Sequence, residues 1–198
     1  MTRIGFWLFP GVEELDVAGP WEVLASWAVD HPQDGVEVFS FAREPGPLRC
    51  RNGLQLVPDL VWADGEDPPA CDVVLVPGGE GNRPLVGRPW VRDALRGWHA
   101  GGTLVTSVCS GALLLADAGL LDGRAATTHW SVTDDLARLG TGVDVREEER
   151  WVDLGDVVTS AGVSAGIDMA LHLVARLGSP ERARQVRREI QYDPAPPV

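Results

Sequence analysis

"TLVTSVCSGALLLADAGLLDG", from Thr103 to Gly123, joins a short apolar run to a helix start across a lone cysteine. Thr103 to Val108 is apolar and bounded by glycine, the pattern of a buried strand. Ser107, two residues before Cys109, and Gly111, two after, leave room for a tight strand-to-helix elbow that large side chains would block. An isolated cysteine is commonly a small, inert core residue. The flanking small residues point instead to a nucleophile held at a helix N-terminus, where free N–H groups and the helix dipole favour a thiolate.

The same strand signature recurs in "RIGFWLF" (Arg3 to Phe9), "VEVFSF" (Val36 to Phe41) and "DVVLVP" (Asp72 to Pro77). Helical spacing occupies Leu15 to Val29, Trp90 to Ala100 and Ser164 to Gly178. This alternation predicts one α/β domain over residues 1–198, a doubly wound, mostly parallel sheet with helices on both faces in a flavodoxin-like three-layer sandwich. "LRCRNGLQLVPD" predicts a hairpin or short edge strand turning at Asn52-Gly53. "VDVREEERWVDLGDVVTSAG" predicts one or two further strands turning at Gly155-Asp156, and a proline-rich tail is expected at about 191–198.

With 198 residues and 44% hydrophobic content, the chain can bury a substantial core. A net charge of −12 repels phosphate backbones, and no helix-turn-helix or zinc-finger pattern is present, so no nucleic-acid partner is expected. No apolar run approaches the roughly 20 residues of a membrane span and no signal peptide opens the chain, so a cytoplasmic protein without membrane contact is expected. Cys50, Cys71 and Cys109 lie far apart with no metal-ligand spacing, so reduced thiols and no metal are expected. All seventeen basic residues are arginine, which excludes a Schiff-base lysine.

In an open parallel sheet, ligands bind beyond the carboxyl ends of the strands where the winding reverses. "FPGVEELDVAGP", "VPGGEGN" and "SVCSGA" all fall at such ends. Gly78 and Gly79 offer backbone N–H groups to a developing negative charge, although a Gly-Gly pair is also an ordinary turn. Glu13 and Glu14 read as helix caps or solvated dipole partners. Asp16, between Leu15 and Val17, needs a buried partner, and a thiol would be one. His129 reads first as pocket-lining or capping and second as a base. Trp21 and Trp130 adjoin the site as candidate walls, and His172, within an apolar helix, reads as a packed core histidine.

These segments, from "FPGVEELDVAGPWEVL" through "DVVLVPGG", "TSVCSGALLLADAGLLDGRAATTHW" and "TSAGVSAGIDMALHLVARLG" to "QYDPAPPV", resemble the ThiJ/PfpI superfamily and its isonitrile hydratase-like branch. The resemblance implies Cys109 as nucleophile, Asp16 as its acidic partner, and Gly79 as the oxyanion-hole glycine assisted by the N–H of Ser110. Hydratase-like members often carry threonine at the Ser110 position; the hydroxyl survives here. Protease-like members carry histidine there, which argues against a peptidase. The resemblance also implies a small-molecule substrate, a homodimer and no cofactor. Isonitrile hydration leads, with a glyoxalase-type or deglycase-type activity on small aldehydes and a redox-sensing or ligand-sensing module as alternatives.

Overall fold

The computed structural model describes residues 1–193, so the expected tail lies outside the described residues from position 194 onward. Along the chain run β1 (Thr2–Leu8), α1 (Glu14–Asp30), β2 (Val36–Ala42), β3 (Leu48–Arg49), β4 (Gln55–Leu56), β5 (Leu60–Val61), β6 (Val73–Val76), α2 (Pro89–Ala100) and β7 (Leu104–Val108). There follow α3 (Ala112–Asp117), β8 (Ala125–Ala126), α4 (Thr133–Leu139), β9 (Asp144–Val145), β10 (Trp151–Asp153), β11 (Val157–Ser160), α5 (Ala165–Leu177) and α6 (Pro180–Glu189).

The central sheet has the order β10-β11-β7-β6-β1-β2-β5, and all of its pairings are parallel except that of β10 with β11. β6, β7 and β11 are buried at every residue because helices cover both faces of the sheet. α1, α5 and α6 pack together, and α2, α3 and α4 form a second chain of contacts. Winding proceeds from β1 to β2 in one direction and from β6 to β7 in the other. The crevice therefore opens at the carboxyl ends of β1, β6 and β7.

Trp7 anchors the core, fully buried with the rings of Phe9, Trp62, Trp90 and Trp98 all within 6.1 Å. The hairpin expected around Asn52-Gly53 is β3 paired antiparallel with β4, and the adjoining β5 is the short edge strand beside β2. The turn at Gly155-Asp156 joins β10 to β11. α6 escapes an apolar-period reading because its "PERARQVRRE" buries only Val186. Its position instead rests on Arg182 donating to Asp34 and on the Ser179 cap.

His172 corrects its expected place in the core. It is half-buried, its Nε2 lies 2.7 Å from Asp153 Oδ2, and its ring stacks on Trp151, because this side of α5 faces β10 at the sheet edge. No described helix is long and apolar enough to cross a membrane.

Candidate active site

Three loops bring the chemistry together. After β7 the backbone turns at Cys109 with φ +56°, a left-handed conformation unusual for a side-chain-bearing residue and typical of strained functional turns. The turn is held open on both sides: Cys109 N–H donates to Ala161 O at 3.1 Å, and Thr128 Oγ1 donates to Cys109 O at 2.7 Å. Gly111 is required because a Cβ there would stand 2.2 Å from the Val76 carbonyl oxygen at the end of β6. The spacing of small residues in the sequence thus corresponds to a real steric demand.

Asp16 comes from the first turn of α1 and is fully buried. Its Oδ2 accepts the Gly78 N–H at 2.8 Å, while Oδ1 has no hydrogen-bond partner among the described residues. Burial pushes its carboxyl from 3.8 to about 7, reinforced by the charge of Glu13 and opposed by Gly78, the Cys109 side chain and Arg51. Burial, then the Asp16 charge, pushes the Cys109 thiol up to about 12. Both effects oppose the thiolate that a helix N-terminus favours. The helix behind the elbow is only six residues long, and the dipole of so short an element is overridden by desolvation and a neighbouring carboxylate. Near neutral pH the Cys109 thiol keeps its proton while Asp16 is in the middle of its titration, so the two titrate as a pair.

Backbone N–H groups of Ser110 and Val163, with the Ser110 hydroxyl, hydrogen-bond to the sulfur and pull the other way. The Ser110 hydroxyl oxygen accepts from Asn82 Nδ2 at 2.8 Å and Gly79 N–H at 3.1 Å, which leaves its own proton free to donate to the sulfur. Val163 sits at φ +51°, an outlier for a β-branched residue, and lies on the wall of the same cavity.

The cavity measures about 320 Å³ and is lined by Glu13, Arg51, Gly79, Asn82, Cys109, Ser110, His129, Trp130 and Val163, among others. Gly79 lies on its wall, but its N–H donates to the Ser110 hydroxyl oxygen at 3.1 Å. Gly78 is corrected: its N–H is committed to Asp16 and does not face the cavity. Trp21 is corrected as well. It packs edge-on against Phe6 at 5.2 Å, off the cavity wall, whereas Trp130 stands at the rim with 78% of its surface exposed. His129 lines the cavity without pairing with Cys109; its Nδ1 accepts the Ser131 N–H at 3.2 Å, and its pKa is lowered, chiefly by burial.

Asn82, Glu13 and Arg51 are the lining residues whose parts a sequence reading misses. Asn82, buried three residues after Gly79, anchors Ser110 through both its carbonyl and its hydroxyl oxygen. Glu13 makes no side-chain cap; with 7% exposure it accepts from Arg51 Nη1 and Asn52 Nδ2, both at 3.1 Å. Glu14 binds the Asn52 and Leu54 N–H groups. The cap reading of both acids is thus replaced by attachment to the β3–β4 turn. Among the described residues, no group of three or more His, Cys, Asp or Glu is gathered as for a metal ion.

Comparison with known proteins gives the family. The chain is 41% identical over 195 residues to the isonitrile hydratase of Pseudomonas putida, covering 98% of this chain and 80% of that protein. It is 25% identical to a glutathione-independent glyoxalase of Caenorhabditis elegans, over 90% of this chain and 89% of that one. The crystal structure of a THiJ/PfpI family protein from Pseudomonas syringae matches with a TM-score of 0.85 and 32% identity, covering all of this chain and 77% of the other. The DJ-1/PfpI family model matches residues 2–176, and the chain belongs to the DJ-1/PfpI family.

Proposed function

We propose that this protein hydrates a small isonitrile to an N-substituted formamide. The observation that carries the reading is the Cys109–Asp16 pair. A buried carboxyl, with one oxygen tied to Gly78 and the other without a hydrogen-bond partner among the described residues, lies beside a thiol on a cavity wall. Such a pair can move one proton between sulfur and a bound carbon without solvent. The likeness to the Pseudomonas putida hydratase supports this reaction.

Cys109 Sγ attacks the terminal isonitrile carbon, and Asp16 delivers the thiol's proton to that same carbon, giving a thioimidate. Water then adds across the C=N bond, Asp16 taking a proton from the water and passing it to nitrogen. The C–S bond breaks as the new hydroxyl loses its proton through Asp16 to sulfur, which releases the formamide and restores the thiol. We infer that the Gly79 N–H, once released from the Ser110 hydroxyl, and the Ser110 N–H bind the oxygen of the tetrahedral adduct. On the family likeness we also propose a cytoplasmic homodimer, with Cys109 kept as a thiol.

A glyoxalase-type reaction on small aldehydes is the second reading, supported by the likeness to the nematode glyoxalase and by the same cysteine and acid. Purified protein given an isonitrile and methylglyoxal in parallel separates the two. Formamide is expected from the first substrate, with no turnover in Cys109→Ala and at least about 10²-fold less in Asp16→Asn, the usual scale of general acid–base catalysis. Lactate from methylglyoxal without formamide would overturn the hydratase reading. Unchanged turnover in a folded Asp16→Asn protein would overturn the proton transfer.

A further inference from the structure

Glu13 occupies the N-cap position of α1 yet makes no cap hydrogen bond; its side chain turns inward and is buried. Burying a carboxylate is costly unless it is paired, and both partners come from one place, the turn of the β3–β4 hairpin. Arg51 Nη1 and Asn52 Nδ2 each reach a Glu13 oxygen at 3.1 Å. The attachment is reinforced by backbone bonds, with Arg51 N–H donating to Val12 O at 2.8 Å and Gly11 N–H to Arg49 O at 2.9 Å. Glu13 N–H in turn donates to Gly78 O at 3.0 Å, next to the N–H that holds Asp16. Glu13 and Arg51 thus form a charged floor of the cavity that contains Cys109.

We propose that Glu13 is a positioning residue for the Cys109–Asp16 pair, its buried carboxylate both fastening the hairpin turn as a cavity wall and supplying the negative charge that faces Asp16. The proposal rests on that pair being the reactive centre and not on the identity of the substrate. The groups that act on Asp16 are Cys109 from the elbow, Glu13 from the start of α1 and Arg51 from the hairpin; His129, the Glu80–Arg83 pair and Asp135 complete the charged and titratable groups of the wall. Glu13 and Arg51 act on Asp16 with opposite signs. Glu13 keeps a proton on the pair to higher pH, and Arg51 limits that effect.

The opposition of signs makes the role testable. Cys109 alkylation by iodoacetamide, followed against pH and assigned by peptide mass mapping, has an inflection where the pair loses its first proton. Glu13→Gln, which retains an oxygen for Asn52, should move that inflection down by about half a pH unit or more, the scale of a nearby charge. Arg51→Met should move it up. Asn52→Ala, which loosens the attachment without changing charge, should leave it in place. Shifts of Glu13→Gln and Arg51→Met in the same direction, or an Asn52→Ala shift equal to that of Glu13→Gln, would reduce Glu13 to a structural latch and overturn the proposal. Should Glu13→Gln fail to fold, the half-exposed Arg51→Met carries the test alone, and an unmoved inflection there overturns it. Formamide production is scored separately on the same proteins. Opposite shifts without formamide would sink the hydratase reading and keep this one, and formamide without opposite shifts would do the reverse.

Discussion

At the scale of single residues, the site is built from groups that burden the fold. Asp16 is fully buried, and its carboxyl holds a proton up to about pH 7, whereas the unfolded chain releases it near 3.8. Between those values the folded state binds more protons than the unfolded one, so stability falls as pH rises through the window. The burden is absent below pH 4 and complete above pH 7. Asp16→Asn keeps an oxygen for the Gly78 N–H and removes the charge. It should therefore be more stable than the wild type at pH 8, by up to about 4 kcal/mol, and close to it at pH 4. Denaturant unfolding at the two pH values checks this; equal effects at both would show that Asp16 is not held in its raised state. A gain in stability with a loss of turnover is the trade expected of a functional group.

At the scale of elements, the loops after β1 and β6 are joined so tightly that one glycine decides their union. Gly79 has φ +108°, and a Cβ there would stand 2.4 Å from both Glu13 N and Gly11 O. From its role in backbone approach alone, a substitution at Gly79 would be expected to lower turnover more than stability. The structure reverses that expectation, since the new atom meets backbone on both sides. Gly79→Ala should destabilise by roughly 3 kcal/mol, combining overpacking with a left-handed backbone, and lose activity with the fold. Thermal unfolding beside activity decides it; a fully stable, inactive variant would return Gly79 to a purely chemical role.

At the scale of the whole molecule, the sheet ends in exposed apolar surface. Leu54, Val57, Leu60 and Val61 remain 43 to 67% exposed around β4 and the edge strand β5, the kind of edge that proteins cover or charge. A homodimer closing on this edge is the expected assembly. Sedimentation velocity should show twice the chain mass of 21.3 kDa for the wild type and a shift toward the monomer for Val57→Asp. An unshifted dimer in Val57→Asp would place the contact elsewhere, and a wild-type monomer would remove the dimer altogether.

The amino-acid sequence by itself determined the features whose causes are local. Apolar runs bounded by glycine and proline specify strands wherever helices cover both sheet faces, and β1, β2, β6 and β7 lie within a residue or two of those runs. Small residues around Cys109 report a steric demand that any such elbow imposes, and the demand at Gly111 is met by the end of β6. Asp16 was legible because a carboxyl set among apolar neighbours must find a buried partner. Tertiary structure alone decided which way side chains face once distant loops meet. Gly78 holds Asp16 instead of facing a ligand, Trp21 turns to Phe6, and Arg51, 38 residues from Glu13, becomes cavity floor. It also decided the proton balance, because desolvation of Asp16 and Cys109 depends on everything packed around them and on no period in the chain.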